Sequence, residues 1–137
     1  MIHESTFAIR TYHTDAFGHV NNSRYLELLE EARWQFSENI GLTPLLRERS
    51  LGFIIVEMQV KFRLPVFEGD SISVLTSLET LGSSSGEVRQ MVIRGDDRRV
   101  ALKSLFHFIL ISRENARSVP IEGEIRDLLL EIIETPR

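Results

Sequence analysis

Residues 14–25 read TDAFGHVNNSRY. One carboxylate (Asp15), one histidine (His19) and two asparagines (Asn21 and Asn22) crowd around Gly18, where one hydrophobic period gives way to another. Upstream, residues 6–12 alternate loosely and predict a first strand. Downstream, Tyr25, Leu28, Leu29, Ala32 and Phe36 recur at intervals of three and four, which puts them on one helical face. Glu27, Glu31, Gln35 and Glu38 share the other side, and Asn39-Ile40-Gly41 is a natural stop. Asn21 or Asn22 is placed to cap the helix, its side-chain oxygen accepting a first-turn N–H. Thr43-Pro44 opens a short further helical turn, where the missing donor of proline costs nothing.

Beyond this the pattern is strand after strand. Over residues 52–64 the even positions Ile54, Val56, Met58, Val60, Phe62 and Leu64 are apolar, and Glu57, Gln59, Lys61 and Arg63 are polar. That period of two predicts a long strand with one buried face. Pro65 and Glu68-Gly69-Asp70 make a turn. Strands are expected over 71–81, 87–94 and 100–111, separated by a Gly/Ser loop at 82–86 and a turn at 95–97. The last is apolar at both parities, so it should lie centrally in a sheet or be covered outside by another subunit. Ile125, Leu128, Leu129, Ile132 and Ile133 form the stripe of a closing helix. Three short turns allow the four later strands to join as antiparallel neighbours. A sheet of that length with one early helix most simply curls around it, burying the face from Tyr25 to Phe36.

The 137 residues are expected to form a single α+β domain, residues 1–137, large enough for a real core. Charged residues make up 26% and the formal net charge is −4, both signs being interspersed. The tight basic doublet Arg98-Arg99 is a poor footprint for nucleic acid, so none is expected as a partner. The chain has no cysteine, which excludes disulfides, thiolate nucleophiles and cysteine-based metal sites. No run approaches a membrane span, and the start lacks the apolar segment of a signal peptide; the expected location is the cytoplasm.

Taken residue by residue, each polar group of the opening stretch has two readings. Asp15 suits an Asx turn satisfying its own loop, or a reaction site. The asparagines suit capping, and His19 suits ordering the loop. His13, Asp15 and His19 could be grouped as metal ligands, but no fourth ligand is near in sequence. His107, in an apolar strand, reads as a core histidine, Glu57 as a solvated or interface residue, and Trp34 and Phe36 as packing on the helix.

A strand leading into TDAFGHVNN, a helix reading SRYLELLEEAR, and a later GFIIVEMQVKF running into PVFEGD resemble the hotdog-fold acyl-CoA thioesterases. The branch is that of 4-hydroxybenzoyl-CoA thioesterase and its acyl-CoA and acyl-carrier-protein relatives. The resemblance covers the chain from about residue 5 to VPIEGEIRDLL near the end. It implies a five-stranded antiparallel sheet wrapped round a central helix, and a homodimer or homotetramer with sites between subunits. Asp15 matches the family's general base or nucleophile. The backbone N–H that polarises the thioester carbonyl from the other subunit falls, by a G-x-x-x-V pattern, on Gly52. His19, Asn21, Asn22 and Tyr25 are then candidate substrate contacts. Where some relatives carry an assisting Tyr and His, this chain has Thr11 and Asn22, which leaves the chemistry on Asp15. Neither a metal nor another cofactor is implied. Lys61, Arg63, Arg89 and Arg94 stand where coenzyme A phosphates could meet them, or serve solubility. A non-hydrolytic acyl-thioester-binding protein and a hydratase share the scaffold and remain alternatives, since fold does not fix function.

Overall fold

The computed structural model describes residues 1–135; Pro136 and Arg137, the last two of the expected domain, lie outside the described residues. The chain runs β1 (His3–Ala8), a 3-10 turn (Thr11–His13), α1 (Asn22–Asn39), α2 (Leu42–Glu48), β2 (Leu51–Phe62), β3 (Ser71–Leu81), β4 (Ser85–Arg94), β5 (Val100–Ser112) and α3 (Gly123–Glu134). The five strands form one antiparallel sheet in the order β1-β3-β4-β5-β2. It wraps α1 in the arrangement of the hotdog fold, with the C-terminal helix packed against β3.

α1 buries Tyr25, Leu28, Leu29, Ala32 and Phe36, the same five positions that the helical period picked out. They meet inward residues of the sheet such as Val74, Val92, Leu102 and Phe106, each 1% exposed or less. In the middle of this apolar contact lies a polar row. Thr76, Gln90 and Ser104 are opposite one another on β3, β4 and β5, and all three are buried. The Gln90 Nε2 donates to the Thr76 hydroxyl and to the Leu29 carbonyl of α1, both at 3.0 Å. Its Oε1 accepts from Arg33 Nη1 at 3.0 Å. The Arg33 guanidinium lies 4.6 Å from the centre of the Phe106 ring, a cation–π contact that covers its apolar face. Burial pushes the Arg33 pKa down, against the attraction of Glu30.

Three expectations about the strands need correction. The first strand ends at Ala8, short of residue 12, because the chain tightens into the 3-10 turn: His13 Nδ1 accepts the Arg10 N–H at 2.9 Å. β2 and β3 are not neighbours. The segment after Phe62 crosses the sheet, and β2 pairs with β5 along its whole length to form the far edge. The alternation in β2 is also broken by a register shift between Ile55 and Glu57. Pairing with β5 puts Phe53, Ile55, Met58, Val60 and Phe62 on the face of Phe108, Phe106 and Leu102, whereas Ile54 shares the outer face with Ile109. The even-numbered stripe is therefore two half-stripes joined by a bulge at Val56, and bulges flip parity in this way.

β5 does lie inside the sheet, between β4 and β2, with Phe106, Phe108 and Leu110 buried inward. His107 is not a core residue. It faces outward, its Nε2 3.0 Å from Glu87 and 3.6 Å from Glu57.

Replacing Gln90 by Leu keeps volume but leaves the Thr76 hydroxyl and an Arg33 N–H without their partner. Each buried unsatisfied group costs about 1–3 kcal/mol. Urea unfolding at fixed protein concentration should show a loss of at least that size with an unchanged slope; wild-type stability would remove the polar row from any structural role.

Candidate active site

Residues 14–20 are a miniature hairpin. Thr14 bridges Val20, the Asp15 N–H donates to the His19 carbonyl at 3.0 Å, and the Gly18 N–H donates to the Asp15 carbonyl at 3.0 Å. Gly18 has φ 82°, the left-handed conformation that closes a three-residue hairpin loop and that glycine adopts at no steric cost. At the head of the turn, Asp15 Oδ1 accepts the Phe17 N–H at 2.8 Å. The Asx turn foreseen as the plain reading of Asp15 is thus present. Its other carboxylate oxygen has no partner among the described residues.

The base of the hairpin is fixed on two sides. The Asn21 N–H donates to the His13 carbonyl (2.9 Å), and the Val20 N–H to the Val66 carbonyl (2.8 Å). His19 bridges Phe67 through its backbone, and its ring lies 6.0 Å from both Phe17 and Phe67. The Thr11 hydroxyl donates to Glu68, so the 65–70 connection clasps the hairpin from below. Asn21 is the N-cap of α1, its side chain accepting the Ser23 N–H at 2.8 Å, and Asn22 is the first helical residue. The hairpin therefore carries Asp15 just ahead of α1 in the chain, a helix whose first-turn N–H groups lack intrahelical acceptors.

His13 belongs to the support and not to the rim. It is buried, its Nδ1 is held by Arg10, and desolvation lowers its pKa, with Arg24 adding to the effect. Among the described residues no three His, Asp or Glu side chains are grouped to hold a metal ion. Tyr25 lies at 4% exposure with its ring 5.7 Å from Phe62, and its hydroxyl has no hydrogen-bond partner among the described residues. Burial pushes its pKa up to about 12.

Gly52 lies elsewhere. It lines a cleft of about 500 Å³ between α1, α2 and the first half of β2, bounded by Trp34, Ser37, Leu46 and Ile55. The nearest side chain to its missing Cβ is that of Arg113, with Nε at 3.5 Å. Asp15 does not line this cleft. One copy of the chain thus holds the two expected halves of the site on separate features. Trp34 departs from its expected packing role: it is 46% exposed and forms a wall of the cleft. An aromatic side chain off the buried stripe of α1 was the available signal.

The remaining basic candidates divide. Arg89 is paired with Glu79 through Nε and Nη2 at 3.2 and 3.3 Å. Arg94 is paired with Asp97 and also donates to the Pro65 carbonyl. Lys61 and Arg63 are exposed and form no ion pair among the described residues.

Comparison with known proteins gives this geometry a context. Residues 9–129 match the family described as the thioesterase-like superfamily. The chain is 30% identical to the long-chain acyl-CoA thioesterase FadM of Escherichia coli, over 95% of this chain and 98% of that protein. The crystal structure of YbaW, a probable thioesterase from Escherichia coli, superposes with a TM-score of 0.86 at 30% identity, covering 96% of this chain and 98% of that one. A more partial likeness, 32% identity over 56% of this chain and 41% of the relative, is to the acyl-acyl carrier protein thioesterase ATL2 of Arabidopsis thaliana. The family match spans nearly the whole chain, including the Asp15 hairpin, α1 and the strand that carries Gly52. The chain belongs to the thioesterase-like superfamily.

Proposed function

We propose that the protein hydrolyses an acyl-CoA or acyl-carrier-protein thioester to a free acid and a thiol, in a site shared between two copies. The observation that carries this reading is Asp15: a carboxylate held rigid by its own turn, with one oxygen engaged and the other free. That oxygen takes a proton from water as the water attacks the thioester carbon, or attacks the carbon itself to give an anhydride that water then opens. In either route the thiol leaves with a proton and the acid is released. The developing oxyanion needs a donor, and the backbone N–H of Gly52 of the partner subunit is the assigned one; one such donor lowers a barrier by about 2.7–4 kcal/mol. His19, Asn21 and Asn22 shape the rim and present the helix N-terminus. The Tyr25 hydroxyl is enclosed by protein within one copy, so Tyr25 supports the start of α1 rather than meeting the substrate.

The shared site is supported by what β2 leaves uncovered. β2 is a sheet edge twelve residues long. Ile54, Val56, Met58 and Phe62 on it are 41–56% exposed, beside the half-exposed Trp34. A long edge of this kind invites pairing with a second chain, and exposed apolar side chains on both of its faces favour association there. Each such side chain contributes about 1.5–3 kcal/mol on full burial. A dimer through this edge closes the cleft lined by Gly52.

Asp15→Asn keeps the acceptor of the Asx turn but cannot take a proton. Turnover of an acyl-CoA panel should fall by about 10²–10⁴-fold with unchanged thermal unfolding; an undiminished rate removes Asp15 from the chemistry. Tight binding of acyl-CoA by wild type without any product would instead favour the non-hydrolytic alternative. Tyr25→Phe removes a buried unsatisfied group and should raise stability by about 1–3 kcal/mol with KM unchanged; a raised KM would put that hydroxyl against the substrate. Val56→Glu with Met58→Glu should convert a dimer to a monomer by light scattering and abolish turnover together; an active monomer contradicts the shared site.

A further inference from the structure

The end of β2 and the β4–β5 turn carry a concentration of positive charge, five side chains of which form no ion pair among the described residues. Lys61 and Lys103 stand directly opposite each other on β2 and β5. Arg63 follows at the end of β2, and Arg98 and Arg99 occupy the turn. All five are exposed, and none forms an ion pair with a carboxylate among the described residues. The two carboxylates of the same turn are engaged locally. Asp97 accepts from Arg94 Nε and from the Arg99 backbone N–H, both at 3.1 Å, and Asp96 accepts the Asp97 N–H at 2.7 Å.

Arg63, Leu64, Arg98, Arg99 and Lys103 line a groove of about 450 Å³. A surface that only confers solubility mixes its signs, whereas like charges directly opposite across two strands repel. In a chain of net charge −4, this groove is the reverse of the average surface.

Its position relates it to Asp15. The Arg63 and Leu64 N–H groups both donate to the Ala101 carbonyl, which fixes the start of the connection beside β5. Four residues on, Phe67 bridges His19 of the Asp15 hairpin. Four residues of chain span at most about 14 Å, so groove and hairpin lie at the two ends of one short segment, within the span of an extended pantetheine arm.

We infer that the groove formed by Arg63, Arg98, Arg99 and Lys103, with Lys61 at its edge, binds the phosphorylated nucleotide of coenzyme A, which makes coenzyme A the acyl carrier. This rests on the thioesterase reading above. The coenzyme brings a diphosphate and a phosphate monoester, the latter alone carrying about −1.5 to −2 charges. Arginine forks meet such groups in bidentate geometry. A carrier protein brings a single phosphodiester to its pantetheine arm, and so offers these cations less phosphate charge than the coenzyme does.

The test combines direct binding with kinetics on the intact protein. Adenosine 3′,5′-bisphosphate should bind wild type in calorimetry, with affinity that falls as salt is raised. The triple variant Arg98→Gln, Arg99→Gln, Lys103→Gln should lose this binding while unfolding at the wild-type temperature or above, since mutual repulsion is relieved. Its KM for acyl-CoA should rise tenfold or more, with kcat and the KM for the matching acyl-pantetheine unmoved. An unchanged KM for acyl-CoA, or an equal rise with acyl-pantetheine, overturns the assignment. A rise confined to acyl-carrier protein also overturns it, in favour of protein docking. If wild type hydrolyses none of these thioesters, the thioesterase reading fails by itself, and the bisphosphate titration still decides the groove.

Discussion

The contact between α1 and the hollow of the sheet is the constraint from which the other features follow. An amphipathic helix of eighteen residues offers one apolar stripe, and here that stripe runs from Tyr25 to Phe36. Burying it requires the sheet to bend round it, but hydrophobic burial is indifferent to rotation and sliding of the helix. Gln90 supplies the direction that burial lacks. It reaches from the centre of the sheet to the Leu29 carbonyl and to Arg33, two points one turn apart on α1. A buried polar group of this kind is stable only with all its partners met, so the network favours one rotational setting of the helix over its neighbours.

With α1 fixed, the strand order decides what remains open. β3, β4 and β5 follow one another as hairpins, β1 extends one edge, and β2 crosses to the other. The helix covers the middle of the sheet and leaves the inner face of β2 half-covered. This explains how Met58 and Phe62 can face inward and still be about half exposed. It also explains why the cleft opens beside Gly52. A chain that exposed such a strand alone would carry an aggregation liability, since exposed apolar edges recruit further chains. The proposed pairing of two copies through this edge would meet that problem and complete the proposed site in one step.

These relations were unequally legible in the amino-acid sequence. The stripe of α1 could be read residue by residue, because helical period, cap and stop all agree. The number of strands could also be read, since Gly82, Gly95 and their neighbours break the chain cleanly. Strand order could not. A turn containing Pro65 and Gly69 looks alike whether the chain folds back beside itself or crosses the sheet, and the choice depends on long-range pairing with β5. The bulge at Val56 was hidden because an apolar residue occupies the position where the phase slips. His107 was misplaced for a related reason: in a strand apolar at both parities, the period says nothing about which face is inward. The hairpin around Asp15 had a local signal, glycine three residues after an Asx residue, yet the role proposed for it was visible only through resemblance to a family.

Asp15 shows how the plain and the chemical readings of one residue can coincide. An Asx turn takes one carboxylate oxygen for the backbone and thereby fixes the rotation of the side chain. The second oxygen is left at a defined position without needing a neighbouring side chain to hold it. Catalytic groups gain from that kind of prior placement, because less reorganisation remains when the transition state forms. Gly18 allows the turn to close, Val20 and Asn21 tie its base to Val66 and His13, and Phe67 braces it from the side. The turn that looks like mere loop chemistry therefore also fixes the carboxylate that the proposed reaction uses, and the same 65–70 connection that braces it begins beside the cationic groove.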